Sequence, residues 1–176
     1  METHAERTVR VRAAYRDARE RFAARLRGAS DADVYRAPAA GGWSAAQIGW
    51  HVAAVDAAFA AVLGSDSPAA KALPDGGTVR SWTEIVAGMP DRLDAGRRVQ
   101  PPDVVDREEV LAALADSAQK LDAALAALPE ARAAGFAITH PVIGTVALGQ
   151  IGDWAVAHTI RHNAQAKRVL GEASAT

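Results

Sequence analysis

The chain alternates long stretches of helical period with short, breaker-rich connections. From Val9 to Leu26, apolar residues recur at Val11, Tyr15, Ala18, Phe22 and Leu26. That spacing predicts one buried stripe on a helix, with the intervening arginines on its solvent face. Pro38, Gly41 and Gly42 make residues 28–42 an irregular connection. Ser44 reads as an N-cap with Gln47 in the capping-box position, and Trp43 as a staple onto Ile48. The second helix then runs to about Leu63 on Ile48, Val52, Val55, Phe59 and Val62, with His51 at the edge of that face. Pro68, Pro74, Gly76 and Gly77 mark the next loop. Ser81 to Arg92 predicts a shorter helix carried by Trp82, Ile85 and Met89.

Pro101 and Pro102 end that order before a third long helix. Asp106 caps it with Glu109 three positions on, and Leu111, Leu114, Ala118, Leu121, Leu125 and Leu128 form its stripe up to Pro129. Residues 134–145 read either as an extended segment from Phe136 to Ile143 or as a shaped connection around His140–Pro141 and Gly144. Thr145 is the expected cap of the last helix and Gly171 its expected stop. Ile151, Ala155, His158, His162, Gln165 and Val169 share its face. Four principal helices predict an all-α fold, a bundle with long connecting segments.

The 176 residues fit a single domain, 1–176, large enough for a core of its own. With no cysteine, disulfides, zinc knuckles and a cysteine nucleophile are excluded. A net charge of −1 does not suggest a general nucleic-acid binder. The polar N-terminus lacks a secretory pattern, and no uninterrupted apolar run reaches the length of a membrane span. Cytoplasmic localisation is the expectation. Abundant alanine favours helices but supplies little apolar area per residue, which makes a homodimer plausible.

Chemistry concentrates on histidine. His158 and His162 lie four apart, so both project from one helix face, about 6 Å apart at the backbone. A third imidazole from another helix, His51, would complete a three-nitrogen site with an exchangeable position, suited to zinc or nickel rather than magnesium or calcium. An i, i+4 pair alone is more often a pair of satisfied interior or partly exposed imidazoles than a ligand pair, and His51 brings the two readings level. There is no His-Glu-x-x-His, so the zincin general base is missing. Trp154 either lines a substrate mouth or is a structural aromatic, and Arg161 either attracts an acidic cosubstrate or makes a surface ion pair. Gln165 either orients an imidazole or packs between helices. His140 either approaches the bundle mouth or caps nearby backbone, and is not assigned as a ligand. Asp56 falls about 140° round the helix from His51 and is not assigned as a base. His4 is placed in a flexible N-terminus, away from any site.

Trp43–Ser44, His51, His140–Pro141, Gly144 and the terminal pattern Trp154–x3–His158–x2–Arg161–His162–x2–Gln165 together resemble the DinB-like family. The resemblance covers about residues 8–171. It implies a four-helix bundle with long connections and a divalent metal held by His51, His158 and His162. It also implies, from some members, transfer of a low-molecular-weight thiol such as bacillithiol or mycothiol to a small electrophile, and a homodimeric assembly. In that reading Trp154 and Arg161 bind substrate, and the thiol comes from the cosubstrate. Two other readings stay open: a metal or small-molecule binding protein of a stress pathway without turnover, and a metal-dependent hydrolase.

Overall fold

The computed structural model describes residues 2–64, 67–74, 79–88 and 94–174, the last three as backbone alone. Four long helices carry the architecture: α1 (His4–Gly28), α3 (Ala45–Leu63), α5 (Arg107–Ala127) and α7 (Ile151–Ser174). Short elements fill the connections. These are α2 (Asp31–Val34), β1 (Lys71–Ala72), α4 (Trp82–Ala87), a 3-10 turn at Arg97–Val99, α6 (Glu130–Gly135), β2 (Phe136–His140), β3 (Gly144–Ala147) and a 3-10 turn at Leu148–Gln150.

Side-chain partners fix the helix directions. Arg12 reaches Asp122 and Arg19 reaches Leu114 and Ser117, so α1 and α5 run oppositely. Arg7 meets Asp153 and Arg25 meets Asn163, so α1 and α7 run in parallel. His51 meets His158 while Phe59 meets Trp154, so α3 opposes α7. The bundle is therefore up-down-down-up. The consecutive helices α3 and α5 run in parallel, which demands a long crossover and explains the breaker-rich segment between them.

Capping sets the helix starts. Ser44 Oγ accepts from Gln47 N while Gln47 Oε1 accepts from Ser44 N, the reciprocal pair expected for α3. Asp106 accepts from Glu109 N at the head of α5. Helix α1 begins earlier than its apolar stripe, because Thr3 and Glu6 form a further capping box. That places His4 inside the helix, its Nε2 3.0 Å from the Leu128 carbonyl, rather than in a loose terminus. Ser30 caps α2 within the segment expected to be irregular. Ser81 caps α4, whose helix ends at Ala87; Met89 and Arg92 lie outside the described residues.

The mixed segment resolves into a hairpin. Strands β2 and β3 pair antiparallel with Ala137 opposite Ala147 and His140 opposite Gly144, and β1 adds to β2. Gly144 takes φ +82° at the end of the three-residue loop, a backbone region that glycine enters at no steric cost. Thr145 is thus a strand residue and caps nothing. The last helix is instead entered through the Leu148–Gln150 turn, where Gln150 Oε1 accepts from Ala147 N. Nor does Gly171 stop the helix, which continues to Ser174.

The core lies in two clusters. One gathers Phe22, Leu26, Ile48, Val52, Val110, Leu114 and Val169; the other gathers Tyr15, Phe59, Leu121, Leu125, Val146, Ile151 and Trp154. Between alanine-rich helices, glycine gives the closest approach. A Cβ on Gly152 would sit 2.5 Å from Val11 Cγ1 and 3.2 Å from Leu125 Cδ2. Gly152→Ala therefore destabilises the protein by about 1–2 kcal/mol, the overpacking cost outweighing the gain in helix propensity. A shift of the urea midpoint at unchanged slope is the expected signature.

Helix α3 also has the mean hydropathy, 1.4, of a membrane span, although no uninterrupted apolar run predicted one. Gln47, His51 and Asp56 interrupt it, and half of its apolar window is buried in the bundle. A core helix meets the same length and composition test.

Candidate metal centre

Helix α3 delivers His51 two turns from its capped start, and α7 delivers His158 and His162 from adjacent turns. One ring nitrogen from each comes together within a 4.8 Å span. His51 Nε2 lies 3.1 Å from His158 Nε2. Ring centroids are 5.1 Å apart for His51 and His158, 4.8 Å for His51 and His162, and 4.4 Å for the α7 pair.

The opposite edges of two rings are fixed by oxygen acceptors. His51 Nδ1 is 2.7 Å from the Val99 carbonyl, and His162 Nδ1 is 2.8 Å from Gln165 Oε1. Each Nδ1–H donates, so each Nε2 presents its lone pair to the cluster. This is the arrangement by which outer-shell acceptors set the tautomer of metal-binding imidazoles. Gln165 thus takes the orienting role among its two expected ones. His158 differs: its Nδ1 is buried without a hydrogen-bond partner.

Electrostatics favour neutral rings. Burial pulls His51 below its usual range, against the Val99 carbonyl. Burial, the neighbouring His162 and His51, and the charges of Arg19 and Arg161 drive His158 well below. His162 is pushed down to about 4, by burial and then by His51, with Gln165 opposing and Arg161 adding to the fall. Three neutral imidazoles are the protonation state a divalent ion needs. Donor type and spacing fit, as do the tautomers of His51 and His162, so His51, His158 and His162 could hold a metal ion.

The remaining expected site residues are placed around this cluster. Trp154 is buried one turn along α7, its ring 4.9 Å from Phe59 and 5.5 Å edge-on from His140. Arg161 is half-buried, and its charge reaches both His158 and His162. His140 lies outside the cluster; its Nδ1 accepts from Val142 N and Ile143 N, capping the hairpin loop. Two contributors were not anticipated. Trp43 packs its ring 4.9 Å from His51, beyond its staple role. The Val99 carbonyl carries no side-chain signal that a sequence could show.

Asp56 is fully buried rather than merely turned aside. Its Oδ2 lies 3.0 Å from Arg19 Nε and accepts the Tyr15 hydroxyl. Arg19 also donates to the Leu114 carbonyl and Ser117. The expectation that the α1 arginines face solvent fails at Arg19, which is only 6% exposed. Burial raises the Asp56 pKa to about 6, against the pull of Arg19 and the Tyr15 hydroxyl.

A helical bundle with three imidazoles converging from two of its helices defines a class of compact, helix-borne candidate metal centres. The family model describing the DinB superfamily matches residues 14–166, and the chain belongs to that superfamily. No curated protein and no solved structure matches it.

Proposed function

We propose that this protein is a divalent-metal-dependent transferase that joins a low-molecular-weight thiol to a small electrophile. The observation that carries this reading is the convergence of three neutral imidazoles, two with their tautomers fixed by oxygen acceptors. Zinc or nickel suits such a donor set, and three protein ligands leave a position for an exchangeable partner. A metal bound there supplies Lewis acidity that favours the thiolate of an incoming cosubstrate.

The chain's residues supply the rest. His51, held by Val99, and His162, held by Gln165, present fixed lone pairs that orient the centre. Arg161 places positive charge beside the α7 pair, where an acidic cosubstrate or a developing thiolate gains most. In the transfer, the thiol proton leaves to solvent and a sulfur–carbon bond forms. The electrophile's leaving group departs with the electrons of the bond that breaks. The active unit in this proposal is a homodimer.

A second reading, a binding protein without turnover, draws on the composition of the cluster. Among the described residues it holds imidazoles alone, with no carboxylate to serve as base. The same feature disfavours the hydrolase reading, since Asp56 is committed to Arg19 and Tyr15.

Purified full-length protein, incubated with bacillithiol, mycothiol or glutathione and a broad electrophile panel, tests the proposal. Metal-dependent thiol consumption with an adduct of the summed mass, less the leaving group and the thiol proton, is expected. Chelator treatment abolishes it. Metal uptake without any adduct across the panel would overturn the transferase reading and leave the binding one.

A further inference from the structure

The polar groups buried beneath His158 are unusual for a bundle interior. Tyr15 and Arg19 from α1, Asp56 from α3 and Ser117 from α5 are joined by direct contacts, and the helix register sets them beside the turn of α7 that carries His158 and Thr159. The contacts fix that register. Arg7 pairs with Asp153 and Arg25 with Asn163, so Arg19, between them on α1, lies beside the Thr159 turn of the parallel α7. Arg19 touches Asp56, and its charge is felt at His158.

Hydrogen bonding in this layer is incomplete in a patterned way. Asp56 Oδ1, Arg19 Nη1, Thr159 Oγ1 and His158 Nδ1 are all buried without a partner. Unpaired buried polar atoms are costly, and a cluster of them matches the two to four partners that one internal water needs. Asp56 Oδ1 is an acceptor on a carboxylate whose other oxygen is already held by Arg19 and Tyr15. The His158 ring needs such an acceptor. His51 keeps its proton on Nδ1, so at the 3.1 Å contact the hydrogen belongs to His158 Nε2. Ligation through that Nε2 requires the proton to sit on Nδ1 instead, facing the layer.

We propose that Asp56 is the positioning residue of His158: through one buried water, its Oδ1 receives the Nδ1 proton that His158 carries when its Nε2 ligates a metal. This rests on the three-imidazole metal reading. The three rings would then share one design, each Nδ1 answered by an oxygen. Val99 answers His51, Gln165 answers His162, and Asp56 answers His158 at one remove. Arg19 and Tyr15 hold the carboxylate still.

Zinc affinity under chelator competition, together with proton–nitrogen correlation spectra of imidazole-labelled full-length protein, tests the assignment. In wild type, zinc addition should move the His158 proton from Nε2 to Nδ1, giving an exchange-protected signal with a cross-peak to water. Asp56→Asn keeps size and an oxygen but removes the charge. It should weaken zinc binding about tenfold or more, within the range for outer-shell partners, and shift the His158 Nδ1 proton upfield. Ser117→Ala removes a contact of Arg19 in the same layer without touching Asp56, and should leave zinc affinity within about twofold of wild type, as a positioning role for Asp56 requires but a general packing role does not.

Wild-type affinity in Asp56→Asn, or a zinc-bound His158 with no proton on Nδ1, overturns the inference while leaving the metal centre intact. Equal losses in Asp56→Asn and Ser117→Ala overturn it as well. If Asp56→Asn does not fold, the wild-type spectra decide alone. Failure of wild type to bind zinc or nickel removes both the inference and the metal reading.

Discussion

His158→Ala removes stoichiometric metal uptake. Protein purified without a histidine tag and reconstituted with zinc or nickel should carry one ion per subunit by native mass spectrometry in wild type and none in the variant. His158 contributes the Nε2 that lies 3.1 Å from His51, and it shares its helix face with His162. Its loss leaves two imidazoles, short of the three protein ligands of an exchangeable site. The affinity loss should exceed the roughly 100-fold that outer-shell partners reach. His51→Ala should behave alike, while His140→Ala, whose ring caps the hairpin loop, should retain the ion. Unchanged occupancy in His51→Ala and His158→Ala would end the three-histidine assignment.

Arg19→Met produces the largest loss of stability. The substitution keeps the apolar stem but leaves Asp56, fully buried, without its countercharge. Removing one partner of a buried pair costs about 3–5 kcal/mol, enough to consume much of a typical folding free energy. The pH dependence identifies the cause. The folded-state pKa of Asp56 stands at about 6, above the ordinary carboxyl value. A carboxyl raised in the folded state binds more protons folded than unfolded between those values. Its contribution to stability is therefore complete below the unfolded pKa and lost as pH rises through about 6. Without Arg19 the folded pKa rises further. The variant's deficit in urea should be smaller near pH 4.5 than at pH 7. A deficit independent of pH would place the cost in packing rather than in the unpaired charge.

Periodicity made much of this fold legible, and the reasons are local. The α3 and α5 stripes, the Ser44–Gln47 cap and the i, i+4 histidine pair depend only on residues within a turn or two of each other. What the sequence concealed depends on partners far along the chain. Arg19 sits in an arginine-rich helix where every neighbour looks alike. Only Asp56, on another helix, separates it from the solvent-facing arginines. Residues 136–147 are too short and too apolar to declare strand or loop until the two halves pair. Thr145 mimicked a cap because it precedes a periodic run, while the true entry signal was Gln150 reaching back to Ala147. Gly171 was a weak stop because it keeps helical backbone rather than the positive φ by which a glycine ends a helix, so the helix passes through it. The three-histidine face was legible in its side chains but not in its carbonyl, since Val99 offers only backbone to His51.

That carbonyl has a further consequence. Val99 belongs to the long crossover between α3 and α5, and His51 Nδ1 is bonded to it. The imidazole is therefore a latch as well as a candidate ligand, fastening the connection to the bundle with one edge and facing the cluster with the other. Turning the His51 ring breaks that bond, so motion of the ring loosens one tie between the crossover and the bundle.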